Sequence, residues 1–329
     1  MTGFRLILAL ALLLLVAAAL ALFCGDARLN PVSLGRALSG GETLDALILR
    51  ELRLPRLLLG VLVGAGLGGA GAVLQGFFRN PLADPGIVGV SASAGLGAVS
   101  ALYFGLSAAF ALALPLAGVA GAAAGVALLF LIAGRGASAT TLILAGVAVN
   151  AMAGAATALL MNLAPNPWAL SEIAYWLMGS LTDASWNEVM FAGPLIATGL
   201  TVLLTAHRAI DALSLGEDTA RSLGIDLARL RLTVVTGTAL AVGGGVAVAG
   251  AIGFVGLIVP HLLRPLVAFR PAALIVPSML GGALLITLAD LFARLISGPG
   301  MPLYLGVLTA LTGAPFFLWL VRSTQRVAP

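Results

Sequence analysis

Lysine is missing from this chain: all 17 basic residues are arginine. A GxxxxGK[ST] loop needs that lysine to reach nucleotide phosphates, so the chain holds no such loop. It also forms no lysine Schiff base. One cysteine, Cys24, excludes an internal disulfide and a cysteine-ligated cluster. Two histidines, His207 and His261, lie far apart, which is too few for a histidine-rich metal site. No GxSxG elbow occurs, since Ser91 sits in GVSAS, without the second glycine. Charge is scarce too, 9% of residues against about 25% in a soluble domain. The net charge of +4 comes from arginines set singly between apolar stretches, not from a patch that would hold nucleic acid. Covalent chemistry on a substrate is not expected, which leaves transporter, channel or membrane scaffold.

What is present is apolar. Hydrophobic residues make up 60% of the 329, and the mean hydropathy is +1.12. No soluble fold of this size hides so much apolar surface, so the chain reads as an all-α polytopic membrane protein, one transmembrane domain over 1–329. A span needs about 20 apolar residues. Ten stretches qualify: 5–24, 56–78, 92–110, 112–133, 141–163, 189–206, 232–250, 251–268, 272–295 and 303–321. The 92–133 pair divides at Leu114–Pro115, and the 232–268 pair also reads as one kinked element. An A-x-A triplet at Ala19–Ala21 suggests signal cleavage, but the apolar core before it exceeds the usual length of about 7–15 residues, so a retained helix is expected.

Ten spans put both ends on one side. With the N-terminus inside, 11 arginines lie inside and six outside (Arg28, Arg36, Arg50, Arg53, Arg56, Arg294). Eight acids offset the outer six: Asp26, Glu42, Asp45, Glu51, Glu172, Asp183, Glu188 and Asp290. The positive-inside rule then favours N-in and C-in.

Two polar stretches interrupt the spans. Residues 164–188 carry Trp168, Trp176 and Trp186, which suit a membrane interface. They read as a short outer helix over the bundle mouth or as an ordinary interfacial loop. Residues 211–231 read as a surface helix–turn–helix, with Glu217 and Asp218 at a helix start, Gly224 at its end and Asp226 capping the next helix. An ordered apolar face (Leu213, Ala220, Leu223) favours a docking element over a plain connector.

Small residues recur every fourth position at Gly60, Gly64, Gly68, Ala72 and Gly76. Glycine costs about 1 kcal/mol in a soluble helix interior, and in a membrane it permits close approach of helix backbones. A second ladder runs through Gly237, Ala241, Gly245, Ala249 and Gly253, in the opposite direction, as in a partial inverted repeat.

Several long stretches resemble one family. RLPR at 53–56 followed by GAGLGGAGAVLQGFFRNPLADPGIVGVSASAG, ending at 95, is similar to the FecCD-type permeases of bacterial ABC importers for iron chelates, haem or cobalamin. SATTLILAGVAVN at 138–150, LSLGEDTARSLG at 213–224, GAIGFVGLIVPHLLR at 250–264 and LGVLTALTGAPFFLWLV at 305–321 follow in the same order. The resemblance spans essentially the whole chain.

It implies a ten-helix permease in the bacterial inner membrane that works as a homodimer by alternating access. Two cytoplasmic ATPase subunits would carry ATP and Mg, and a periplasmic binding protein would deliver the cargo. This chain would carry neither catalytic residues nor a cofactor. Arg53, Arg56 and Arg294 match docking arginines for the binding protein. Local pairs, Glu51 with Arg53 or Asp290 with Arg294, are the plainer reading. Gly216, Glu217, Asp218, Ala220, Arg221, Leu223 and Gly224 match the coupling helices. Asn80 and Leu82, with Ser138, Ala139 and Thr140, match a cytoplasmic gate, although Ala139 replaces a hydroxyl residue there. For Asn80, plain helix capping is an equal alternative. Asn150 falls on a helix that lines the path. His261 is read as structural, or as lying near the ATPase interface, rather than as a haem ligand. With no buried charge in the path, haem is the favoured cargo, ahead of a ferric siderophore and cobalamin. A proton-coupled transporter would need titratable residues inside the spans, where Asp290 is the one clear candidate.

Overall fold

The computed structural model describes residues 3–24, 35, 43–110, 112–134, 137–297 and 303–325. Arg28, Arg36, Arg135 and Arg326, with Asp26 and Glu42 from the charge census, lie outside the described residues.

Helix α1 (Gly3–Phe23) buries Leu6, Leu10, Ala17 and Ala21 along one stripe. Helix α2 (Leu44–Phe77) begins well before the expected span, capped by the Thr43 hydroxyl. It holds a π-helical turn at Ile48–Arg53 just ahead of Pro55. Proline inside a helix lacks its N–H and crowds the carbonyl four residues back, and the wider turn accommodates it. A 3-10 turn (Pro85–Val88) leads into α3 (Val90–Tyr103). The 92–133 pair divides at Phe104–Gly105, where Gly105 has φ +67°, and not at Leu114–Pro115. Pro115 instead lies in the first turn of α4 (Ala113–Ala133), where its missing N–H costs nothing.

Helix α5 (Ala139–Asn162) and the short α6 (Pro167–Leu177) follow, then α7 (Trp186–Thr205), α8 (His207–Leu213) and α9 (Glu217–Ser222). Helix α10 (Leu227–Ala249) contains a second π turn at Ala239–Gly243. It stops at Gly250, φ +69°, so the 232–268 pair is two elements. Gly253 lies in the break, off the second ladder's helix. Helices α11 (Val255–Leu263), α12 (Pro271–Ile296) and α13 (Leu305–Gln325) complete the chain. Among the described residues, seven helices are long and apolar enough to cross a membrane, and three shorter apolar ones lie at 90–103, 255–267 and 305–320.

Helix α2 is the centre of the bundle. A Cβ on Gly68 would stand 2.1 Å from the Ser278 carbonyl oxygen, and one on Gly64 2.3 Å from that of Gly282. The ladder therefore lets α2 and α12 touch backbone to backbone. Other glycines do the same on other faces: Gly66 against Ala241 of α10 and Gly71 against Gly256 of α11. The second ladder meets α7, where a Cβ on Gly199 would stand 2.4 Å from the Ala241 nitrogen and 2.7 Å from the Gly237 oxygen, and its Gly245 lies against Val63.

Candidate functional site

Two opposite ends of the bundle carry the polar side chains. At one, α8 and α9 form a helical pair seated under α2 and α12. Ile210 of α8 is fully buried, and a Cβ on Gly76 would meet its side chain at 2.5 Å. Asp211 caps α12: its Oδ1 accepts from the Ala272 N–H at 2.9 Å, and Oδ2 lies 3.5 Å from Arg270. Asp211 was missed from sequence because its partner is 61 residues away. Gly216 (φ +106°) and Gly224 (φ +81°) make the sharp turns on either side of α9. Ala220 faces inward, fully buried, while Leu223 is 61% exposed. Arg221 bridges Glu217 at 3.6 Å and Asp218 at 3.3 Å on the open face. Asp226 accepts from the Ala228 and Arg229 N–H groups and caps α10.

Beside this pair runs the turn after α2. Arg79 takes φ +50°, ending the helix. Asn80 Oδ1 accepts from the Leu82 N–H at 2.9 Å, and Asp84 Oδ1 accepts from Gly86 at the same distance. Burial pushes the Asp84 carboxyl above its ordinary value, with the Gly86 bond acting the other way. The turn rests on α5, where a Cβ on Gly146 would stand 2.1 Å from the Ile87 oxygen. Ser138 caps α5, its Oγ accepting from the Thr141 N–H at 3.1 Å, and Thr140 is exposed. Ala139 and Glu217 line one small cavity of about 20 Å3 with Phe77, Leu213 and Arg231. Of the expected gate and coupling residues, Ala139 and Glu217 meet at this cavity.

Gln75 ties this end to α11. Its Nε2 donates to the Gly256 oxygen at 3.2 Å and to Leu257 at 3.4 Å, and its Oε1 accepts from Arg264. A lone amide in an apolar, glycine-rich helix was the signal for this residue. His261, also on α11, sets its ring edge-on to Phe316 at 5.9 Å. Asn150 stands on the exposed face of α5, near Val147 and Met152.

At the opposite end the expected docking arginines turn inward. Arg56 grips Asp290 with a fork, Nε at 3.0 Å from both oxygens and Nη2 at 2.8 Å from Oδ1. Arg294 Nε lies 3.3 Å from Asp290 Oδ2, and its Nη2 donates to the Ala21 carbonyl at 3.1 Å. Arg53 is buried and donates to the Leu22 carbonyl at 2.6 Å. Glu51 pairs with Arg50 at 2.7 Å, not with Arg53. Around α6 opens a cavity of about 850 Å3 walled by Trp168, Tyr175, Trp176 and Tyr304, with Glu172 and Asp183. Tyr175 and Tyr304 stack at 5.8 Å. Trp186 is the first residue of α7, not part of α6, and its indole donates to the Arg50 oxygen at 2.9 Å.

Comparison with known proteins places this geometry. The pattern of the FecCD transport family matches residues 13–323. The chain belongs to that family. The hemin transport system permease protein HmuU of Yersinia pestis is 38% identical, over 96% of this chain and 95% of its own. The vitamin B12 import system permease protein BtuC of Vibrio cholerae is 40% identical, over 92% and 89%. A solved metal-chelate type ABC transporter in an inward-facing conformation matches with a TM-score of 0.85 and 34% identity, covering 97% of this chain and 99% of that one. As a FecCD member, the chain is the membrane-spanning permease of an ABC importer for iron chelates, haem or cobalamin. It lies in the bacterial inner membrane, and the ATPase is a separate subunit.

Proposed function

We propose that this permease imports haem as one half of a homodimer of ten-span subunits, N-in and C-in, driven by two ATPase subunits that bind ATP and Mg. The observation that carries the reading is the α8–α9 pair. Its buried side seats on α2 and caps α12, and its charged side (Glu217, Asp218, Arg221) is open, in a chain with no nucleotide loop of its own. ATPase closure pushing on α9 is transmitted by α8 to the ends of α2 and α12, beside the Asn80 turn and the start of α5. Rigid displacement of packed elements of this kind is a common switching mode. The ends of α1 and α12 meet at the arginine end, and α13 starts there against Gly179 through a Gly306 N–H bond of 3.2 Å. Those directions support both termini on the coupling side. The two small-residue ladders, on helices running in opposite directions, support a partial inverted repeat.

Arg53, Arg56 and Arg294 are the arginines we assign to docking a periplasmic binding protein, and Asn150 on the open face of α5 lines the path between two copies. The scarcity of charge along that face suits a bulky, largely apolar cargo, hence haem before a ferric siderophore or cobalamin. The test is competition. Proteoliposomes carrying the permease, its ATPase and its binding protein take up haem under ATP, and excess cobalamin or siderophore leaves haem uptake unchanged. Uptake of one competitor in place of haem reassigns the cargo within the family.

A further inference from the structure

The arginine end contains a carboxylate that the docking reading does not use. Asp290 is 6% exposed and sits on α12 about two turns beyond the close α2–α12 contact at Gly282. Both its oxygens are engaged by the Arg56 guanidinium in one plane, and Arg294 approaches from the next turn. The Arg56 side chain keeps 17% of its surface exposed, against 8% for Asp290. A guanidinium fork presents one face to a carboxylate with full bidentate geometry. Asp290 occupies the Nε–Nη2 edge of Arg56, so that edge is closed to a partner while the pair holds.

We propose that Asp290 is a positioning residue that occupies Arg56 in place of a partner's carboxylate, so that docking at this face exchanges one Arg56–carboxylate pair for another. The inference rests on the reading that Arg56 takes part in docking. It gives the free permease a reason to hold its docking arginine closed. Arg56 has the reach for the exchange, because it is the longer and the more exposed member of the pair. Asp290 stays fixed, since α12 is locked to α2 below it by the Gly64–Gly282 and Gly68–Ser278 contacts. An exchange keeps every buried charge paired at both endpoints, which avoids the cost of a bare buried ion.

The test uses the intact transporter in nanodiscs and its purified cognate binding protein. Asp290→Asn keeps the shape and removes the charge that competes. Its Kd for the binding protein is expected to fall about tenfold, the size of one close charge pair. Asp290→Glu restores the wild-type value, and Arg56→Gln weakens binding in either background. A Kd that is unchanged or raised in folded Asp290→Asn overturns the proposal. If the wild-type permease binds no binding protein at all, the docking reading itself fails, an outcome distinct from binding without exchange.

Discussion

Pro260 has no N–H to give the Gly256 carbonyl one turn back in α11, and Gln75 supplies the missing donor from α2. The same amide receives Arg264, so one residue satisfies a broken helix and anchors a half-buried cation. Leucine at this position fits the volume and leaves both groups unmet, so Gln75→Leu is expected to lower stability by about 1–3 kcal/mol in detergent melts. Asp84 shows the reverse economy. Burial favours its neutral acid, so the folded state holds the proton to higher pH than the unfolded chain does. That contribution is complete below the ordinary value near 3.8 and is lost as pH rises through the raised folded value. Asp84→Asn keeps the Gly86 acceptor without the charge. It is expected to melt at or above the wild-type temperature at pH 7 and to lose that advantage near pH 4. Asp226 was legible from sequence as a helix cap because the N–H groups it receives lie within three residues. Gln75 with Arg264 and Arg56 with Asp290, separated by 189 and 234 residues, have no local spacing to betray them.

Among the helices, α2 shows what the glycine ladder does and what its spacing leaves out. The four-residue repeat marks the face that meets α12. Gly66, Gly69 and Gly71 lie off that repeat yet are also pressed, by α10, by Leu200 and Met279 side chains, and by α11. A periodic pattern reports one neighbour, whereas a central helix has several. Gly68→Ala drives a methyl into the Ser278 backbone and is expected to cost about 1–3 kcal/mol. Gly154→Ala on the open side of α5 meets nothing within 4 Å and gains up to about 1 kcal/mol of helix propensity. Thermal unfolding of the two variants side by side checks the contrast. Helix boundaries were less legible than helix existence. The start of α2 at Leu44 was hidden by charged Asp45, Arg50 and Glu51, which a hydropathy reading takes for a loop. The division after α3 hinged on Gly105 adopting φ +67°, where Pro115 was the louder signal but sits harmlessly in a first turn.

Taken whole, the molecule is a glycine-packed bundle with a coupling pair at one end and a closed arginine cluster at the other. In the proposed coupling, force applied at α9 reaches α2 and α12 through Ile210 and Asp211, and the same two helices carry the Arg56–Asp290 pair towards the opposite end. Arg221→Glu sets three acids on the open face of α9, where the wild-type side chain is 60% exposed. The fold is expected to survive while ATP-driven uptake drops about tenfold. Composition alone made the membrane class legible, and the missing lysine removed the nucleotide site. The juxtaposition of Ala139 and Glu217 at one cavity emerged only in three dimensions. The most direct measurement is cargo uptake into proteoliposomes holding the permease, its ATPase and its binding protein, with ATP and a pH gradient supplied separately. ATP without a gradient is predicted to drive uptake and a gradient without ATP to drive none; uptake from the pH gradient alone would contradict the account.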